Sequence, residues 1–191
     1  MIYKIDKVNW PASFPENPEV SVEVRNDHEH LFLTYHVKGE QLRAVTTEDQ
    51  GPVWEDSCVE FFCQVPGDKH YMNFECNCIG AMVGSRRLSR EEDVQPFSAA
   101  EMARIERKCT YPREAFEEKD GLFEWTVELK IPLDLIFQCP ISSLQFPMTL
   151  RCNFYKCADK TKKPHFLCWQ PIDLPKPNFH CPDFFGEIVL D

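Results

Sequence analysis

The residues best suited to chemistry in this chain are flat aromatics and carboxylates crowded into one stretch. Trp54 follows Gly51-Pro52 and stands beside Glu55 and Asp56, ahead of the run Ser57-Cys-Val-Glu60-Phe-Phe. A second tryptophan, Trp169, sits in the proline-flanked stretch Pro164-His-Phe-Leu-Cys-Trp-Gln-Pro171. Two indoles held on loops above polar sheet surfaces suit a sugar, because a pyranose has apolar C–H faces and a rim of hydroxyls. Each stacked ring supplies on the order of 1 kcal/mol beyond its area burial, by analogy with aromatic pairs. Glu60, Asn73, Asn77, Arg86, Arg151 and Asn153 are the candidate hydroxyl partners, and charged partners give the stronger bonds. An opposing reading stays open on pattern alone: both tryptophans plug hydrophobic gaps and the polar residues form a solvated sheet face.

Other chemistries find less support. Glycoside hydrolysis needs two carboxylates roughly 5 to 10 Å apart. Asp56, Glu60 and Glu75 offer such pairs, but acidic residues are common on exposed sheet faces. His165, Cys168, His180 and Cys181 are possible zinc ligands that lack the paired Cys-x-x-Cys spacing of structural sites. Calcium takes about six to eight oxygens, and the chain has no compact Asp-x-Asp loop to supply them. No metal and no cofactor is therefore expected. Ser57 lacks the glycines of a nucleophile elbow, and no glycine-rich loop is present to cradle phosphate.

The elements that must position these residues are strands. Tyr71, Asn73, Glu75 and Asn77 alternate with His70, Met72, Phe74, Cys76 and Cys78, which predicts a strand with one polar and one core face. Val59, Phe61, Cys63 and Val65 form the apolar phase of the preceding strand, leaving Glu60, Phe62 and Gln64 opposite. Val20 to Val24 and Leu31 to Val37 flank a polar turn and read as a hairpin. Leu42 to Val45 and Ala81 to Leu88 read as short strands. Phe123, Trp125, Val127, Leu129 and Ile131 share one phase before Pro132 opens a helical turn through Phe137. Ser98-Ala-Ala-Glu101 is a capping-box pattern that opens a short helix. Leu150 to Tyr155 alternates, and Phe184 to Leu190 reads as a closing strand. Nine or ten short strands without βα alternation predict an antiparallel sandwich. Trp125 is expected in the core, and Trp10 over an edge or end of it.

Composition narrows the classes. The 191 residues suit one domain spanning 1–191, with 43% hydrophobic and 27% charged residues. A formal net charge of -10 repels a phosphate backbone, so nucleic acid is not an expected partner. No apolar run of about 18 residues exists and the start lacks a signal-type core, so neither a membrane nor export is expected. The ten cysteines mostly occupy strand positions as small hydrophobes, and reduced thiols in a cytoplasmic setting are the expectation.

Four segments carry a resemblance. Val53-Trp-Glu-Asp-Ser-Cys-Val-Glu60-Phe-Phe, His70-Tyr-Met-Asn-Phe-Glu-Cys-Asn77-x-x-Gly80, Trp125-Thr-Val-Glu-Leu-Lys-Ile-Pro132 and Pro164-His-Phe-Leu-Cys-Trp169 closely resemble family 9 carbohydrate-binding modules, particularly the stand-alone bacterial type. The resemblance covers nearly the whole chain. It implies an all-β, immunoglobulin-like antiparallel β-sandwich of the DOMON-like group, with one or two short helices. It further implies non-catalytic binding of a carbohydrate, often at a chain end, between two tryptophans. On that resemblance Trp54 is one clamp and Trp169 its best partner, Glu60 is the acidic contact, and Arg86 or Arg87 is the arginine on the hydroxyls. Members often work outside the cell attached to glycanases. The same fold group holds haem-binding cytochromes, for which Met72 or Met82 with His70 or His165 would be the axial pair; His70 and Met72 fall on the apolar strand phase, which favours core roles. The remaining alternative makes the same surface a face for a protein partner.

Overall fold

Strand alternation shapes almost all of the chain. In order, β1 (Ile2–Lys4), β2 (Lys7–Val8), β3 (Glu19–Asn26), β4 (His30–Ala44), β5 (Cys58–Gln64), β6 (Tyr71–Asn77), β7 (Met82–Arg87), β8 (Gln95–Pro96), α1 (Ala99–Ala103), β9 (Glu106–Cys109), β10 (Phe116–Pro132), α2 (Leu133–Phe137), β11 (Met148–Cys157), β12 (Phe166–Cys168) and β13 (Gly186–Leu190) make up the regular structure. The computed structural model describes residues 1–191. The strands pair antiparallel into two sheets. One runs β1-β3-β4-β10-β9, and the other runs β2-β12-β11-β5-β6-β7-β8 with β13 added on β11. No helix is long and apolar enough to cross a membrane.

Local chemistry explains the punctuation. Ser98 accepts from the Glu101 amide, and Glu101 Oε2 accepts from the Ser98 amide at 2.8 Å, so both ends of the capping box close and α1 starts there. Pro132 is the N-cap of α2. The expected short strand at Leu42 to Val45 is instead the end of β4, because β10 pairs along β4 from His30 to Ala44. The chain has thirteen strands, more than the nine or ten expected, since short pieces such as β2 and β8 extend the sheet edges.

Two hydrophobic cores form on the two sides of the larger sheet. Between the sheets, Leu33, Tyr35, Trp125 and Val127 pack against Phe61, Phe74 and Phe154. The Tyr35 hydroxyl, fully buried there, donates to the Glu60 carbonyl at 2.8 Å. On the outer side, Phe62, Tyr71 and Tyr155 are covered by Trp10, Ile172, Phe179 and Phe185. Trp10 donates its indole N–H to the Leu174 carbonyl at 2.6 Å, which ties the segment after β12 across the sheet.

This second core corrects the expectation of a solvated polar face. All seven residues of β6 are buried, Asn73, Glu75 and Asn77 included. The expectation for His70 is corrected as well. It precedes β6, is half-buried, and bonds Asp93 at 2.7 Å instead of entering the core. All ten cysteines are free, seven of them buried.

Candidate functional site

The tryptophan at the head of β5 is presented by a buried ionic knot. Asp56 is fully buried, and its carboxylate accepts from the amides of Val45 (3.0 Å) and Thr46 (2.9 Å), from Asn77 Nδ2 (3.0 Å) and from the Arg43 guanidinium. Residues Val53–Glu55 make one 3-10 turn above it, with Val53 buried and Trp54 39% exposed. A second tether joins this turn to the loop after β11. The Trp54 carbonyl accepts from the Asp159 amide and the Glu55 carbonyl from the Lys160 amide, both at 3.1 Å. The indole is thus held out toward solvent by a rigid base.

Beside it lies a cavity of about 260 Å³. Glu60 of β5, Glu75 of β6, Val83 and Arg87 of β7 and Cys157 of β11 border it from the sheet, and Trp54 and Asp159 stand at one side. Arg90 and Glu91 enter from the β7–β8 loop, Phe166 from β12, and Pro177, Asn178, Phe179 and His180 close it from the segment that follows β12. Drug-sized ligands occupy pockets of roughly 300 to 1,000 Å³, so this one suits a single ring more than a long chain. A wider depression of about 760 Å³ lies elsewhere, over β3, β4 and β10, but its one aromatic, Trp125, is 3% exposed and offers no stacking face.

Glu60 and Glu75 are direct cross-strand neighbours. Burial and the facing Glu75 charge hold the Glu60 carboxyl well above the usual carboxylate range. Burial pushes Glu75 up to about 7, opposed by Arg87 and by the hydrogen bond from Asn73. Asp159 is raised to about 6, again by burial. Near neutral pH the site therefore holds carboxyl groups able to donate as well as accept. A hydrogen-bonded chain fixes their geometry: Arg87 Nε donates to Ser85 Oγ at 2.8 Å, Ser85 donates to Asn73, and Asn73 Nδ2 donates to Glu75 Oε1 at 2.9 Å. His180, held near 3 by burial and by the arginine charges, is neutral and bonds the Tyr71 hydroxyl at 2.9 Å. Phe179 stacks on Tyr155 with ring centroids 4.2 Å apart, which fixes the covering segment.

An exposed indole beside hydrogen-bonding groups in a ring-sized hollow has the chemistry to meet the apolar face and the hydroxyl rim of a sugar. The family model for carbohydrate-binding family 9 matches residues 1–190. The chain belongs to carbohydrate-binding family 9. It is a non-catalytic carbohydrate-binding domain. A crystal structure of a candidate carbohydrate-binding protein from Bacteroides uniformis is 40% identical, with a TM-score of 0.93 over 100% of this chain and 86% of that one. A family 9 module from Caldicellulosiruptor kristjanssonii in complex with glucose shares 14% identity and a TM-score of 0.59, covering 97% of this chain and 84% of that one. The same kind of module with cellotriose shares 13% identity and a TM-score of 0.54 over 97% and 82% of the two chains. These last two likenesses establish the fold. No curated protein sequence matches the chain.

Within this family 9 domain the sequence-derived candidates separate. Trp54, Glu60 and Arg87 come together at the cavity. Trp169 does not, which corrects the expected clamp. Phe166 and Cys168 of β12 face the outer side, so Leu167 and then Trp169 turn to the core, where Trp169 packs on Tyr3 (4.7 Å) and Phe154 (5.6 Å). Arg86 points away from the cavity and forks onto Asp68 at 2.9 and 3.0 Å. Asn73 is a positioning residue, one step behind Glu75. Asn77 spends its amide on Thr46 and Asp56 and accepts from the Ala81 amide, closing the β6–β7 turn. Arg151 bonds Gln64 at 2.6 Å and the Pro182 carbonyl at 2.8 Å. Asn153 clamps the backbone of Gln170 with both ends of its amide.

The four possible zinc ligands are dispersed: His165 bonds Lys156, Cys168 bonds Asn9, His180 bonds Tyr71 and Cys181 bonds Asn178. Glu60 and Glu75 rise side by side from adjacent strands. The sequence reading missed Arg90, Glu91, Asp159, Phe166, Phe179 and His180 as cavity residues. Phe166 was recoverable, since it lies three positions before Trp169 in an alternating segment and so faces the other way.

Proposed function

We propose that one sugar ring, either free or at the end of a chain, binds in the cavity beside Trp54. An apolar face of the ring stacks on the indole. The hydroxyls exchange hydrogen bonds with Glu60, Glu75 and Asp159, and with the N–H groups of Arg87 left over from Ser85 and from the Arg90 carbonyl. Phe166 and Phe179 take the aromatic role first assigned to Trp169. The single observation that carries this reading is an indole left 39% exposed beside Val53 and Asp56, both fully buried. Polar groups convergent on a small hollow give orientation, and the aromatic contact gives most of the affinity. Dissociation constants from millimolar to micromolar, about -4 to -8 kcal/mol, fit one stacking contact and several hydrogen bonds after ordering costs.

Calorimetric titration with monosaccharides and short oligosaccharides tests it. Glucose and cellotriose, the ligands of two structural relatives, head the panel. Saturable binding that weakens at least about tenfold in Trp54→Ala and in Glu60→Ala supports the assignment. Sugar binding within about threefold of wild type in both variants refutes the site.

A further inference from the structure

Cys58 and Cys157 stand directly opposite each other on β5 and β11. Glu60, two residues along β5, shares their face of the sheet. The Cys157 thiol donates to Glu60 Oε1 at 2.9 Å, and one donor atom from each of the three residues lies within 4.8 Å of the others. All three are buried, yet Glu60 and Cys157 border the cavity, which gives a small ion a way in. We propose that Cys58, Cys157 and Glu60 form a binding site for a thiophilic divalent cation, zinc foremost. It shares Glu60 with the sugar site but does not depend on a sugar binding there.

The geometry suits that ion. Zinc bonds of about 2.3 Å to sulfur and 2.0 Å to oxygen put tetrahedral donor atoms roughly 3.5 to 3.8 Å apart, within the spread of this cluster. Two sulfurs and one carboxylate select a softer metal than calcium or magnesium, which take oxygen. The fourth position opens on the cavity beside Asp159, and water or a further oxygen fills it. Loading is an exchange: the cation bonds both sulfurs and a Glu60 oxygen, both thiols and the protonated Glu60 carboxyl lose their protons to the solvent, and the complex gains two positive charges while losing three protons. Because loading releases protons from the ligands, the affinity rises with pH. The same two strands contain an internal contrast. Cys63 and Cys152 are also directly opposite, but they point into the core between the sheets, away from the cavity and from any carboxylate.

The test titrates the reduced full-length chain with cadmium, which takes the same thiolate ligands, and follows the thiolate-to-metal charge-transfer band. One equivalent is expected to saturate the band and to release three protons in weak buffer, two from the thiols and one from Glu60. Cys58→Ala and Cys157→Ala lose the band, whereas Cys63→Ala keeps it. X-ray absorption on zinc-loaded wild-type chain counts the sulfurs directly and needs no variant to fold. Absence of the band in wild type, its survival at full strength in either cavity-side variant, or a zinc spectrum with only oxygen and nitrogen neighbours overturns the proposal. A sugar titration on chelator-treated protein reports on the carbohydrate site separately, so either assignment can fail alone.

Discussion

Replacing Trp54 by alanine separates binding from folding. An aromatic side chain carries up to about 250 Å² of contact area, and Trp54 leaves 39% of its surface to solvent. Roughly 100 Å² is therefore available to a ligand. A sugar stacks on one face, so about half of that, at ~25 cal/mol per Å², gives a little over 1 kcal/mol, and the stacking contact adds about 1 more. The loss of ~2 kcal/mol corresponds to roughly a thirtyfold weaker dissociation constant. Stability should fall by only about 1 kcal/mol, because the ring belongs to neither hydrophobic core. Trp169→Ala is the matched control. Its ring packs on Tyr3 and Phe154, so it should cost about 3 kcal/mol of stability and leave the affinity of the folded protein within about twofold. Calorimetry for binding and urea unfolding for stability read the two effects independently. A folded Trp54→Ala that binds within about threefold of wild type, or a folded Trp169→Ala that binds as poorly as expected for Trp54→Ala, would refute the reasoning.

Trp125→Ala, at a ring only 3% exposed, should cost roughly 3 to 5 kcal/mol in urea unfolding, and a loss under 1 would contradict its place in the core. Asp56→Ala leaves Arg43, two amides and Asn77 without their acceptor; a destabilisation of about 3 to 5 kcal/mol is expected, accompanied by weaker sugar binding as the Trp54 turn loosens. Burial raises the Glu75 carboxyl from 4.5 to about 7, so the folded chain holds that proton more tightly than the unfolded one. Its stabilising contribution is complete below about pH 4.5 and is lost as pH rises through about 7, a change of roughly 3 kcal/mol. Glu75→Gln should therefore gain on wild type across that window. His165 and His180, both held near 3, contribute the opposite slope below about 6.5, equally in both proteins, so stability against pH for the two proteins isolates Glu75 together with its effect on Glu60. Parallel curves would show that Glu75 titrates normally.

Much of the scaffold was legible because strand chemistry is local. The alternation from Phe123 to Ile131, the Ser98-to-Glu101 capping box and the polar turn before His30 each need only neighbouring residues to be read. Trp54 was legible for the same reason, since a Gly-Pro turn and two carboxylates announce a ring held off a strand. Trp169 was not, because proline-flanked sequence suggested a loop while a three-residue strand fixed its parity toward the core. The polar residues of β6 and β11 misled for a less local reason. The segment from Gln170 to Phe185 has no periodicity to show which surface it covers, and it lies over those strands. Asn153, expected to meet a ligand, is instead consumed by the Gln170 backbone of this covering, and Asn77 by Thr46, Asp56 and the turn to Ala81. Arg90, Asp159 and His180 reach the cavity from three distant loops, and no spacing along the chain encodes that meeting.

The covering segment also divides the labour of recognition. The floor of the hollow is written into strands whose other side forms the main core, so changes there endanger the whole domain. Its roof, from Pro177 to His180, is fastened through a few anchor points such as Trp10, Asn153, Tyr155 and Arg151. With those fasteners kept, the roof is the part that can change without rebuilding the sheet beneath, so at the proposed site it is where a different saccharide preference would be written.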